Sequence, residues 1–407
     1  VTFPILQVLP PITQTSRDVI SDVSDSGGTS KDYLKMASDA GFILAEAARR
    51  KLIPWDASLL GSTSVGYAFA MTLLTQVGIT GRTSTTDLAH EFFQGSSEQR
   101  SEQINMVSFG LRWHQYGLPT LKLSQSLTAA LLLTECRGLT GRDLKMPFPS
   151  FVLELPGPDH ILSLRSLPGK PPSPVTHILV HGHTTGVDHA NNTQEMANLT
   201  RELLVGTTSV TAFLQTALAQ ARAPQRQFLR VSLLARDMIM VSRTDPQPSE
   251  NAPLETWLAG DSGLMNIEAE DLPVIRAALR LVTNCCLYLE ANALGKPLSK
   301  PKHKAPKRRD ESVPNSSPTV WEVGNAVKLP RALRDAARDL SGEGGRKAWR
   351  VHARFAVRGH WRNQAHGPKR SERKRIWVQP FWKGPETGAT LLKLYEAQTL
   401  SGEEPKK

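Results

Sequence analysis

The spacing of hydrophobic positions changes along this chain, and each change marks a different kind of element. From Lys31 to Lys51 (KDYLKMASDAGFILAEAARRK), Tyr33, Met36, Ala40, Ile43, Leu44 and Ala47 recur at helical intervals, and Leu52, Ile53 and Pro54 close the run. Segments near 64–77, 86–94, 97–113 and 121–136 keep the helical lean, with Gly78, Gly81, Gly95 and Gly117 as punctuation. Residues 1–30, rich in Ser, Thr, Asp and Pro, read as a loose lead-in. At Met146 the period shortens. After PFPS, the runs Phe151–Leu155 (FVLEL), Ile161–Arg165 (ILSLR) and His177–His181 (HILVH) read as short strands separated by Pro and Gly turns, a meander. Leu199–Arg222 returns to helical spacing, and Phe228–Val241 fits strand or helix. Asp271–Ala293 is the clearest helix, with Pro273 in the first turn, where its missing donor costs nothing. Ile275, Leu279, Val282, Cys286 and Leu289 form its apolar stripe.

The pattern then breaks. Residues 296–318 (KPLSKPKHKAPKRRDESVPNSSP) hold five prolines and seven Lys or Arg against two acids, a composition that cannot bury a core and reads as an extended basic linker. Beyond it, Val320–Val323 resembles a short strand, Pro330–Leu340 a basic amphipathic helix and Ser341–Gly345 a turn. Between Trp349 and Trp361, Val351, Ala353, Phe355 and Val357 alternate with His352, Arg354 and Arg358, so one face is apolar and the other charged. Asn363–Glu372, with Gly367 and Pro368, supplies a turn region. Arg373–Phe381 returns as a strand with Ile376 and Val378 opposite Arg375, Trp377 and Gln379. The expected product is a long basic β-hairpin.

These elements predict an α+β protein: a helical N-terminal domain (1–145), a mixed α/β middle domain with a β-meander (146–295), the linker (296–318), a basic aromatic domain carrying the hairpin (319–390) and a tail (391–407). At 407 residues and 40% apolar content the chain can bury a full core and has room for two or three domains. No uninterrupted apolar run reaches the roughly 18 residues of a membrane span, and the opening VTFPILQVLPPI lacks a basic flank and is broken by prolines. The expected location is the cytoplasm. Cys136, Cys285 and Cys286 fit neither a disulfide framework nor a zinc site and are expected as buried thiols.

Charge sharpens the picture. Residues 296–383 hold 23 Lys and Arg against 7 Asp and Glu, more than the whole chain's net +11, so the rest is acidic on balance. The same region contains Trp321, Trp349, Trp361, Trp377 and Trp382, five of the eight tryptophans, which a merely solvated polybasic tail would not carry. Such a surface neutralises phosphates and releases counterions without reading sequence. The candidate nucleic-acid contacts are Arg350, His352, Arg354, Arg358, His360, Trp361, Arg362, Lys369, Arg370, Arg373, Lys374, Arg375 and Trp377. On single-stranded RNA the basic residues would hold phosphates while Trp or His stacks on a base, worth about 1–3 kcal/mol each. Trp361 and Trp382 have a competing role as anchors of the hairpin to its own domain.

Several of these stretches also resemble a known family. PFPSFVLEL at 147–155, NCCLYLEA at 284–291, VWEVG at 320–324 and RGHW at 358–361 leading into IWVQPFW at 376–382 are similar, in that order, to a type V-A anti-CRISPR family. RGHW with its glycine-containing loop and basic aromatic strand is the most specific element, and the resemblance covers roughly 146–384. It implies an RNA-related regulatory role, since the family's founder causes loss of the CRISPR nuclease's messenger RNA during translation. The expected partners are therefore RNA, messenger or ribosomal, and with it a ribosome or nascent protein. This chain departs from the founder in its length, its N-terminal region and the stretch around 186–260, which leaves the target open.

Two histidine groups raise the question of catalysis. His177, His181, His183 and His189, with Asp188, suggest a metal at first sight, but their spacing matches no zinc pattern, and no metal or cofactor is assigned. His352, His360 and His366 beside Arg354, Arg358 and Arg362 contain the ingredients of metal-free RNA cleavage, with His352 and His360 as the catalytic candidates. No phosphate loop, nucleophile elbow, zinc-protease helix or dinucleotide fingerprint is present. Regulatory RNA binding is the leading expectation. A DNA-binding protein of a mobile element and a metal-independent ribonuclease are the alternatives, the first because a basic ribbon also enters a DNA groove.

Overall fold

The computed structural model describes residues 108–383 except 111, 158–161, 165–171, 187–194, 197, 200–201, 203–206, 223, 237–239, 261–270, 293, 295–296, 299–317, 332, 335–336 and 338–353; 34 and 390–391 are described as well. The helical segments expected before residue 108 lie outside this set, apart from the helical Leu34.

The body is a large mixed sheet built from β1 (Pro119–Leu123), β3 (Ser150–Glu154), β5 (Ser173–Gly186), β6 (Gln225–Ala235), β7 (Met240–Pro246) and β8 (Thr319–Val323), in the order β7-β6-β5-β3-β1-β8. The short β4 (Ser163–Leu164) pairs with β5. β3, β5, β6 and β7 run antiparallel in succession, whereas β1 is parallel to both β3 and β8; of the meander expected from 151–155, 161–165 and 177–181, the first and third runs pair directly, and the middle one, as β4, pairs with the start of β5. The stretch 228–241, ambiguous in sequence, is thus two strands. Residues 121–136, expected as one helix, divide into β1, α1 (Gln125–Leu132) and β2 (Thr134–Glu135). Pro119 opens β1, and Leu121 and Leu123 alternate into the core with period two. Ser124 then starts the helix: its Oγ accepts from Leu127 N at 3.2 Å and donates to Gly324 O at 2.8 Å.

Alternation sorts the sheet faces. Leu121, Phe151, Leu153, Ile178, Val180, Leu229, Val231 and Leu233 join one apolar core with α3 (Leu254–Ala259) and α4 (Leu272–Ala291). α4 has the expected stripe and the expected first-turn proline; Cys285 and Cys286 are buried in it, and burial pushes the Cys136 and Cys285 thiols up to about 12. By length and composition α4 is apolar enough to cross a membrane, yet it is a core helix here, in contact with β6 and β7 of the large sheet, with α1 and with β11 described below. The opposite sheet face carries His181, whose ring meets Phe109 edge-on at 6.1 Å, and α2 (Val210–Arg222) packs beside β5.

β10 (Gly359–His366) and β11 (Glu372–Val378) form the expected hairpin, and β10 continues parallel onto β2. A third small sheet joins β9 (Arg354–Val357) to β12 (Phe381–Lys383) and β13 (Thr390–Leu391). The run expected as one strand from Trp349 to Trp361 is therefore divided at Arg358, where the chain passes from one small sheet to the other; 349–353 lie outside the described residues. The boundaries drawn at 145 and at 296–318 do not divide the core: β8 pairs with β1, and Trp361, Leu329 and Leu333 belong to the same apolar cluster as α4. Pairing of the VWEVG strand with β1 buries Val323 in that cluster and packs the partly buried Trp321 against it.

Candidate nucleic-acid interface

The hairpin is clamped to the body at its base and free at its tip. Gly359 begins β10 against β2, with its N–H donating to Leu133 O at 3.1 Å. A Cβ at this position would overlap Thr134 Oγ1 and sit 2.9 Å from Pro380 Cδ, so the close approach requires glycine. Beside it, Arg358 pairs with Glu135 at 3.0 Å. Trp361 is 7% exposed, and its Nε1 donates to Asn284 Oδ1 at 2.9 Å.

Asn284 is the centre of this clamp. Its Nδ2 donates to Leu131 O and Thr134 O, both at 3.0 Å, and its Oδ1 also accepts from Cys136 Sγ at 3.4 Å. All four hydrogen-bonding valences of a fully buried amide are thereby used, joining α4, α1, β2 and β10 at one point. Across the ribbon Trp377 pairs in register with Trp361, donates to Thr134 Oγ1 at 3.1 Å and meets Tyr288 edge-on at 5.3 Å. Arg375 completes the attachment through ion pairs to Asp143 and, at 2.9 Å, to Glu290, which also takes Lys145.

These contacts sort the sequence candidates. Arg358, Trp361, Arg375 and Trp377 are engaged with the body, and burial removes the Trp361 indole as a platform for a base. His360 is half-buried in the strand beside β2. Arg362, Lys369, Arg370, Arg373 and Lys374 are exposed, and the last four have no ion-pair partner among the described residues. Arg362 donates to Gln364 Oε1 at 3.1 Å. Arg350 and His352 lie outside the described residues, and Arg354 is described by its backbone alone, in β9. The anchoring partners Thr134, Glu135, Asp143, Asn284 and Glu290 were not singled out from sequence; the signal for Asn284 was a lone amide within an otherwise apolar helical face.

The tip has its own backbone signature. Gly367 (φ +76°) is followed, after Pro368, by Lys369 and Arg370 in the left-handed region at φ 53° and 58°. Two successive non-glycine residues there cost roughly 1–2 kcal/mol each, a cost the turn sustains while it turns both cationic side chains outward.

Of the histidines weighed for RNA cleavage, the described residues place two, His360 and His366. His360 and His366 sit six residues apart on one strand, about 20 Å at some 3.3 Å per residue, and His366 faces Glu372 at 3.1 Å. His352 lies outside the described residues. The other histidine group forms a stack: His181 and His183 lie 5.4 Å apart with planes at 14°, and His183 stacks on Phe228 at 5.6 Å. His181 Nδ1 meets Ser150 Oγ at 2.7 Å in the sheet interior, and burial, assisted by His183, Arg112 and Arg230, holds the imidazole well below its usual range. His177 contacts Thr176, and 188–189 lie outside the described residues. Among the described residues no group of three His, Cys, Asp or Glu is placed to hold a metal.

Residues 121–384, which span the sheet, α4 and the clamped ribbon, match the AcrVA2-like family, described as the anti-CRISPR type V subtype A2 family, and the chain belongs to it. Among solved structures it is similar to the crystal structure of AcrVA2, at 11% identity over 77% of this chain and 92% of that chain, with a TM-score of 0.34. No curated protein matches it. The RGHW element that pointed to the family thus has a physical role in this chain: Arg358, Gly359 and Trp361 fasten the ribbon to the body.

Proposed function

We propose that this anti-CRISPR family member lowers expression of its target by binding RNA through the free end of the β10–β11 ribbon, acting in the cytoplasm on translating ribosomes. The observation that carries the reading is the set of exposed cations Lys369, Arg370, Arg373 and Lys374, unpaired among the described residues, on a ribbon whose base is firmly held. Cations already matched by carboxylates gain little from a phosphate; unmatched ones release counterions when they bind. A rigid mount adds to this by leaving less conformational freedom to be lost on binding. The messenger or ribosomal RNA of a translating complex fits the family resemblance. The middle of the molecule is left to recognise a protein partner such as a nascent chain.

The test is crosslinking of tagged protein to nucleic acid in cells, followed by sequencing, beside a variant with Lys369, Arg370, Arg373 and Lys374 changed to Ala. Arg358 and Trp361 are unsuitable for this comparison because their loss would detach the ribbon. Recovery of messenger or ribosomal RNA that falls at least tenfold in the variant supports the reading. Equal recovery from both proteins overturns it, and recovery of DNA in place of RNA favours a mobile-element DNA binder.

A further inference from the structure

The chemistry presented by the ribbon narrows what form of nucleic acid it takes. From Arg362 to Lys374 its exposed side chains are Arg, Lys, Asn, Gln, Ser, Pro, a glutamate and one histidine, His366, which is occupied by Glu372. The two tryptophans of the hairpin are both at its base, Trp361 buried and Trp377 half-buried against Tyr288 and Thr134. Phe381, the exposed ring nearby, lies in β12, past the base and at the far end from the tip. Recognition of unpaired strands draws chiefly on aromatic rings, with guanidinium planes beside them, and the free part of this ribbon carries no Trp, Tyr or Phe and a single His already paired with Glu372.

Its cations are instead disposed along a rod. The register pairs Gln364 with Lys374 and Ala365 with Arg373, so Arg362 and Lys374 point to one face and Arg373 to the other, while Lys369 and Arg370 cap the end. Beyond Arg375, which the body holds opposite Asn363, the pairs Gln364–Lys374, Ala365–Arg373 and His366–Glu372 carry the ribbon about 10 Å at 3.3 Å per residue before the turn, and a two-stranded ribbon can lie across the wide, shallow minor groove of an A-form stem. Charge on both faces and at the end of a rod suits two facing rows of phosphates better than a single strand, which would meet one face only.

The geometry points to a double-helical segment, held through its phosphate rows, as the ligand of the ribbon. This rests on the reading of the ribbon as the RNA contact and specifies its substrate as a paired stem. Asn363 and Gln364, exposed between the cations, are placed to meet groove edges or 2′-hydroxyls, while the affinity comes from phosphate neutralisation.

The experiment measures binding of the purified full chain, by fluorescence anisotropy across a salt series, to three probes of equal length: a blunt RNA duplex, an unstructured single RNA strand and a DNA duplex. The expected result is at least tenfold tighter binding to the RNA duplex than to the single strand, without quenching of tryptophan emission. The variant with Lys369, Arg370, Arg373 and Lys374 changed to Ala, whose fold is checked by circular dichroism, should lose about 3 to 4 from the magnitude of the log–log salt slope, near 0.9 per phosphate contact. A single strand bound as tightly as the duplex, with quenched tryptophan, overturns the stem assignment and leaves RNA binding standing. Preference for the DNA duplex supports the helical ligand but overturns RNA as the target. Absence of binding to every probe overturns both.

Discussion

Replacing Asn284 with Ala tests whether one buried amide holds the ribbon to the body. In the native arrangement the amide donates to Leu131 O and Thr134 O and accepts from Trp361 Nε1 and Cys136 Sγ. Alanine leaves the indole N–H without that acceptor in a site closed to water, a loss of about 1–3 kcal/mol, and each of the two carbonyls loses a bond of about 0.5–1.5 kcal/mol net. The thiol contact is weaker and adds little. The expected destabilisation is roughly 2–6 kcal/mol, a large part of the 5–15 kcal/mol that holds a typical fold. Urea unfolding of Asn284→Ala, Trp361→Phe and the double variant gives the cycle, with an expected coupling of about 1–2 kcal/mol because both single changes break the same bond. Hydrogen exchange adds a local readout: amides from Gly359 to Val378 should open more readily in Asn284→Ala than those of β5 and β6. A variant within 0.5 kcal/mol of the native protein, with additive effects in the cycle, would refute the reasoning.

Further expectations follow from the same contacts. Gly359→Ala should cost about 1–3 kcal/mol in urea unfolding, because the added methyl group meets Thr134 Oγ1 and Pro380, and a cost under 0.5 kcal/mol would contradict that packing. Arg243 is buried and grips Asp245 through Nε (2.6 Å) and Nη2 (2.9 Å), with Nη2 also on Gly260 O. Arg243→Leu should therefore cost about 3–5 kcal/mol by leaving the carboxylate alone, and Arg243→Leu with Asp245→Leu should recover much of it; an equally unstable double variant would sink the account. His181 stays neutral when folded but takes a proton when unfolded. Stability should thus be full above pH 6.5 and fall by about 1.4 kcal/mol per unit as pH drops below it toward the lowered folded value. A His181→Gln variant that keeps the same slope between pH 6.5 and 5 would assign the loss elsewhere.

Much of the fold was legible because local pattern and burial agree along these strands and along α4. FVLEL and HILVH are short apolar runs bounded by turn residues and buried nearly throughout, and the stripe of α4 recurs at helical spacing over a much longer stretch, so strand and helix were separable by length and flanking residues. The single helix expected at 121–136 failed where a period-two run of only five residues, PTLKL, abuts a true helix with a serine cap. The hairpin was readable from GPKR between two alternating runs, yet its attachment was not. Arg358 and Arg373 look alike in sequence; what distinguishes them is Glu135, more than two hundred residues away from the first, and the lack of any such partner for the second. Long-range pairing of this sort is set by tertiary approach and leaves no local periodicity, which is also why Trp361 reads equally well as platform or anchor.

The way β8 and the ribbon join the body has a consequence for synthesis. β8 is made almost two hundred residues after β1, and the ribbon that satisfies Asn284 follows still later. While the chain is emerging from its own ribosome, one edge of the large sheet lacks its neighbour and the amide on α4 lacks its indole, so the basic ribbon takes its mounted form only once the rest of the body exists to receive it. Chains that end before residue 359 would carry an open apolar face, a state prone to aggregation and capture by chaperones. The chain must thus be made past residue 378 before the cations at 369–374 are held in their mounted position.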